Sequence, residues 1–178
     1  DRAAHGREGP WGTYARMETL RSPKHLTGPD IGFPALTFRA WYETQHGAEG
    51  WQRLYKIATS DWLAYLLWVR DAVPIAINND IEATSIDLDG AFVRVELVGA
   101  SGSETVYARR VVLAGGRDGS GEPFEPPFPS LARAALGERV RVFHSAEDID
   151  FARFRGGKVG LLGASASAFD NAGAALEA

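Results

Sequence analysis

Residues 158–172, Lys158-Val-Gly-Leu-Leu-Gly163-Ala-Ser165-Ala-Ser-Ala168-Phe-Asp-Asn-Ala, carry the strongest chemical signal in the chain. A short apolar run, a glycine turn and a helical pattern follow one another in the order a dinucleotide cradle demands. Gly163 would let the backbone leave a strand sharply, and Ala168 is small enough for close helix–strand packing. The N–H groups of a helix start at Ala166 and Ser167 would then face a pyrophosphate. Ser165 stands where a second glycine usually brings the backbone nearest the phosphates; its hydroxyl can bond phosphate but crowds it. The same residues also suit a tight strand–helix turn with no ligand. The acid that would choose between NAD and NADP belongs about 20 residues further on, past Ala178.

A second candidate is Val111-Val-Leu-Ala114-Gly115-Gly116. Glycines at the carboxyl end of a central strand let the backbone approach a ligand in the crevice of a sheet. The alternative is a plain strand-ending turn. No acid–base or metal constellation accompanies these segments. His5, His25 and His46 lack metal-ligand spacing, no paired-carboxylate motif occurs, and no Ser/His/Asp set can be argued, so no catalytic residue is assigned and no metal is expected. His144 reads as a surface or packing residue.

The elements that must position these glycines follow from periodicity. Residues 1–36 are rich in breakers, with one short helix expected around Tyr14 to Leu20. From Thr37 the spacing turns helical: Phe38, Trp41 and Tyr42 fall at i, i+3, i+4, with Gly47 as a stop and Trp51, Leu54 and Tyr55 repeating the pattern. Ser60-Asp61 predicts the cap and first turn of a helix whose apolar face is Trp62, Tyr65, Leu66 and Val69, closed by Pro74. These aromatics read as core packing. Then the period becomes two. Ile75–Asn78 and Ile81–Asp87 look extended, Asp89-Gly90 turns, Val93 to Leu97 alternates, and Gly99–Ser103 turns into Glu104–Ala108. The solid apolar run Val111–Ala114 predicts a strand buried in a parallel sheet. Residues 117–130, dense in Gly and Pro, read as a stiff crossing between domains. Beyond it come a short helix from Ser130 to Gly137, a strand over Arg139–Phe143, a helical turn over Phe151–Arg155, a buried strand over Val159–Leu162 and a helix from Ala166.

In this order the segments resemble the flavin-containing monooxygenase-type FAD/NAD(P) oxidoreductases, including the amine N-hydroxylating branch. Gly9-Pro10-Trp11 is similar to that family's Trp stretch, Val112–Gly116 to its strand end, and Gly163–Ala168 to its NADPH fingerprint. Met17-Glu-Thr-Leu-Arg21-Ser-Pro23 with Thr37-Phe38 resembles the segment bordering the flavin ring in the N-hydroxylating branch. Lys24-His25 lies near that edge by resemblance alone. Asp1-Arg2 sits where the ribose-binding acid of the FAD domain would be. Three features depart from the pattern: Gly115 replaces the usual Thr, the Phe-x-Gly expected before His144 is missing, and no FAD GxGxxG unit is present.

The resemblance implies an α/β fold: a fragment of a two-dinucleotide-binding (FAD and NAD(P) Rossmann-type) flavoprotein with a helical insert and a β-meander. Residues 1–116 would be a partial FAD-binding domain, with the insert at about 37–72 and the meander at about 75–108. Residues 117–178 would be the crossing and the start of the NAD(P)-binding domain. The cofactor-binding set it implies is Asp1, Arg2, Trp11, Met17, Arg21, Ala114, Gly115, Gly116, Gly163, Ser165, Ala166, Ser167 and Ala168. The implied activity is an FAD- and NAD(P)H-dependent monooxygenase, oxygenating a small nucleophilic substrate with O₂ through a flavin peroxide. The competing reading is a non-catalytic or partial nucleotide-binding module of the same fold. Without a cysteine pair, a thiol–disulfide reductase of this architecture is disfavoured.

Composition bounds the rest. The 178 residues carry a net charge of −4, which leaves no basic footprint for nucleic acid. No apolar run approaches the roughly 20 residues that cross a bilayer, and zero cysteines exclude disulfides and thiolate metal sites. A cytoplasmic location is expected. The start at Asp1 and the closing helical run without a stop signal suggest a piece of a longer protein.

Overall fold

The computed structural model describes residues 1–26, 28–29, 31–116, 121, 123–127 and 142–178. They form two compact units: Asp1–Gly12 with Met17–Ile81, and Thr13–Arg16 with Glu82–Ala178.

The first unit is built on two helices. Helix α1 spans Phe38–Arg53, with Thr37 at its N-cap accepting a hydrogen bond from the Ala40 amide at 3.2 Å. The stop expected at Gly47 is a bend: Gly47 takes φ 71° and the helix resumes beyond it. Helix α2 spans Thr59–Ala72. Ser60 is not its cap. The helix starts two residues earlier, with Ala58 at its N-cap, because the Thr59 hydroxyl donates to the Met17 carbonyl (2.6 Å) and the Thr59 amide to the Glu18 carbonyl (2.8 Å). The Leu20 amide donates to the Ile57 carbonyl, so residues 17–20 form an antiparallel bridge, Thr19 opposite Ala58. This replaces the helix expected at Tyr14–Leu20. The bridge satisfies these backbone groups while burying Leu20, which a short isolated helix would not achieve.

The aromatic residues pack as the periodicity predicted except Tyr55, which lies past the end of α1 and is 87% exposed because the chain leaves the helix after Arg53. Leu20, Phe38, Trp51, Ile57, Trp62 and Tyr65 are the buried core, with Trp11, Trp41, Tyr42 and Val69 against it. The Phe38 ring lies 5.3 to 6.4 Å from those of Tyr65, Trp41, Tyr42, Trp62 and Trp51. Tyr65 keeps its hydroxyl satisfied by donating to the Leu36 carbonyl at 2.8 Å, and burial pushes its phenol pKa up. Lys24 donates to the carbonyls of Trp51 and Gln52 and lies 4.6 Å from the Trp51 ring centroid, a cation placed at the carboxyl end of α1.

A polar network ties the chain start to the end of α2. The Glu8 carboxylate accepts from Arg70, from Asn79 Nδ2 (2.7 Å) and from the Gly6 amide (2.7 Å), and Asn79 also donates to the Ala3 carbonyl at 2.8 Å. Burial by itself would raise the Glu8 pKa, but the hydrogen bonds from Asn79, the nearby backbone and Arg70 outweigh it and hold it below its ordinary value. A depressed carboxylate stabilises the fold above its unfolded pKa of about 4.3, and that contribution is lost as pH falls through the folded value. We expect Glu8→Gln to cost about 1.5–3 kcal/mol at pH 7. In urea titrations the gap to the parent should close as pH drops below the carboxylate range; a gap independent of pH would contradict the assignment.

The second unit contains the meander. Strands β1 (Ile81–Asp89), β2 (Phe92–Gly99) and β3 (Gly102–Ala108) form one sheet in that order, and β2 pairs antiparallel with β3 in the register Val93–Ala108, Val95–Val106, Leu97–Glu104. Gly90 (φ 61°) makes the first turn, as Asp89-Gly90 predicted. Residues 75–78 are not a strand. Arg16 fastens the 13–16 segment to residues 145–151: its guanidinium donates to the carbonyls of Tyr14 (2.8 Å), Ser145 (3.2 Å) and Glu147 (2.6 Å) and lies 5.3 Å from the Phe151 centroid. A one-turn helix at Phe151–Phe154 and helix α3 (Ala166–Glu177) fall where the periodicity placed them.

Two expected strands do not form. Residues 111–114 and 159–162 are irregular, and Val112 and Leu113 are 87% and 79% exposed. A parallel strand has no hydrogen bonds of its own. It exists only beside a neighbour, and among the described residues none runs beside either segment. The helix expected at 130–137 and most of the crossing and of the strand at 139–143 lie outside the described residues.

Candidate functional site

The turn into α3 has the positive-φ glycine expected of it, without the strand expected before it. Gly163 has φ 147°, a conformation that residues with a side chain rarely adopt, and a Cβ placed on it would come within 3.3 Å of the Ala168 Cβ. Ser165 is the N-cap in extended conformation, and its side chain makes no capping bond. The Ser165 carbonyl accepts from the amides of Ala168 (3.0 Å) and Phe169 (3.4 Å). The amides of Ala166 and Ser167, in the first turn, therefore have no acceptor within the helix, and the Ser165 hydroxyl is not committed to a cap. Donors of this kind at the positive end of a twelve-residue helix suit a phosphate. Turn and helix are present; the ladder of the strand before them is not.

At the second candidate, Gly116 has φ 60° and open space where a Cβ would point, with Ala114 and Gly115 exposed. That leaves the backbone accessible to a ligand without itself forming a cradle. The remaining predicted residues lie in the first unit, each held by different neighbours. Asp1 accepts the Ala3 amide on Oδ1 (2.8 Å), while its amino group donates to the Asn78 carbonyl and its carbonyl accepts from Ile81. Trp11 packs edge-on to Trp62 with centroids 6.3 Å apart. Met17 contributes its carbonyl to Thr59, and Arg2 and Arg21 are exposed. His144 serves a local turn: its Nδ1 accepts from the Ala146 amide at 3.1 Å, and its amide donates to Glu147.

Sequence reasoning missed a cleft of about 630 Å³ in the first unit, lined by Thr19, Tyr42, His46, Arg53, Tyr55 and Lys56 among others. Those residues meet only because α1 bends at Gly47 and Thr19 is bridged to Ala58. The run Arg53-Leu-Tyr55-Lys56, basic and aromatic past a helix end, was the one local signal for it. Among the described residues no group of three or more His, Asp or Glu could hold a metal ion, and no helix is long and apolar enough to cross a membrane.

No protein-family model matches the chain. The chain is 45% identical over 172 residues to a protein of Xanthomonas campestris pv. campestris described as FAD-dependent urate hydroxylase, an alignment that takes in 97% of this chain and 35% of that protein. It thus spans about a third of the length of its relative. Over nearly all of its own length, the chain is similar to part of an FAD-dependent hydroxylase.

Proposed function

We propose that this chain is part of an FAD-dependent monooxygenase that draws electrons from NAD(P)H and hydroxylates a small planar substrate with O₂. The similarity to an FAD-dependent urate hydroxylase across 97% of the chain carries the reading. The Gly163 turn supports its nucleotide part, because a positive-φ glycine packed on Ala168 and followed by unbonded helix amides fits a phosphate.

In this reading the second unit divides at about residue 117, with the FAD side before it and the NAD(P)H side after. Ser165, Ala166 and Ser167 hold the pyrophosphate of the nicotinamide nucleotide, Gly163 supplies the tight turn, and Ala168 lets the helix start lie close. In the second unit the backbone of Ala114–Gly116 would contact FAD; in the first, Asp1, Arg2, Trp11, Met17 and Arg21 are the residues that the resemblance implies for it. FAD, when bound, supplies the electron transfer and the O₂ chemistry; this chain's groups bind, orient and exclude water. The absence of an acid–base pair among the candidates accords with that division of labour.

The test is optical. The whole protein should be yellow, and NADPH should bleach its flavin band without added substrate. A colourless whole protein that takes up no added FAD would overturn the reading. The exposed, ladderless 111–114 segment favours a second statement about the 178-residue chain by itself, namely that it takes up FAD poorly. Stoichiometric uptake by the chain would refute that.

A further inference from the structure

The cleft formed by α1 on both sides of its bend, residues 54–56 and Thr19 combines features that no part of the proposed coenzyme machinery uses. Its volume, about 630 Å³, is that of a small-molecule site. Tyr55, 87% exposed, supplies an open flat face, and Tyr42 and His46, with ring centroids 4.3 Å apart, pack on each other to form a wall beside it. Gly50 makes this arrangement possible. A Cβ there would come within 2.6 Å of the His46 Cβ, an atom fixed by the backbone, so any larger residue would force the two turns of α1 apart.

The charge of the cleft is one-sided. Arg53 and Lys56 line it, and among the described residues no carboxylate does. Arg53 pairs with Glu49 at 3.2 Å across a gap in which both side chains are largely exposed. Such a pair is weak and readily exchanged for a better acceptor. The carboxyl end of a helix would ordinarily repel an anion. Here its last carbonyls are already engaged, Gly50 by the Leu54 amide and Trp51 and Gln52 by the Lys24 ammonium. An exposed Tyr face beside two cations suits a ring that is flat and negatively charged.

We infer that this cleft binds a planar, anionic aromatic heterocycle of one or two fused rings, stacked on Tyr55 and paired with Lys56 and Arg53. The inference deepens the proposed function by giving the planar substrate class a docking place on the first unit, and it rests on that reading only for the choice of probe.

Urate, flat and anionic at neutral pH, is the probe, titrated into the 178-residue chain by calorimetry without flavin. Caffeine, a neutral purine, and inorganic phosphate are the comparison ligands. Urate should bind while caffeine and phosphate bind at least about tenfold more weakly, the weight of one charge-assisted contact. Lys56→Ala and Tyr55→Ala should each weaken urate by about tenfold or more. Both side chains are exposed, so circular dichroism should report an intact fold. No urate binding would overturn the inference; so would phosphate binding as well as urate, or unchanged affinity in both variants. Because flavin takes no part, a failure here leaves the colour test of the whole protein to stand or fall separately.

Discussion

Phe38→Ala should unfold the first unit more readily than any other single truncation, by about 3–5 kcal/mol. Phe38 is 1% exposed, and its ring touches both halves of α1 and the buried face of α2 through five aromatic partners. Removing it opens a void that rigid neighbours cannot fill, because Trp51, Trp62 and Tyr65 are each fixed by further contacts. Tyr65 is also held by its bond to Leu36, so its ring cannot swing into the space without leaving a polar atom unpaired. Urea unfolding followed by tryptophan fluorescence measures the loss. Phe38→Leu, which keeps most of the volume, should recover much of it. A loss below about 1 kcal/mol for Phe38→Ala would mean that this cluster is not the core of the unit.

Under the proposed function, Gly163→Val should weaken NAD(P)H binding by the whole protein by about tenfold or more. Two effects act in the same direction. A β-branched residue at φ 147° carries backbone strain of about 1–3 kcal/mol, and its Cβ would begin 3.3 Å from Ala168, so the start of α3 must shift. The amides of Ala166 and Ser167 would then no longer point where the proposed site places the phosphates, and about 1.4 kcal/mol of lost complementarity is tenfold in affinity. Flavin reduction followed across a range of NADPH concentrations separates the nucleotide dissociation constant from the reduction rate at saturation. The constant should rise while FAD content stays at its parental level. Unchanged NADPH affinity in Gly163→Val would remove this turn from the nucleotide site. Gly163→Ala, with the same dihedral conflict but less bulk, should fall between the two.

Local chemistry was legible wherever a residue's own neighbours in sequence set its conformation. Gly47, Gly90 and Gly163 all take the positive φ that their turns required, and α1, α2 and α3 follow the spacing of their apolar residues. The meander was legible for the same reason, since short turns bring its alternating strands together. The Ser60 cap was misread because a side chain can satisfy a distant carbonyl instead of its own helix: Thr59 bonds to Met17 across 42 residues. Nothing near Thr59 in sequence announces that acceptor.

By itself, then, the sequence determined helices, turns, the glycines with left-handed backbone and the likeness of its motif order to flavin oxygenases. Only the tertiary structure decided that residues 17–20 pair with 57–59, that 111–114 and 159–162 carry no ladder, and that Tyr42, Tyr55 and Lys56 share a cleft. The difference is physical. A helix or a tight turn closes its hydrogen bonds within a few residues, whereas an extended segment or a cleft depends on which distant groups arrive beside it.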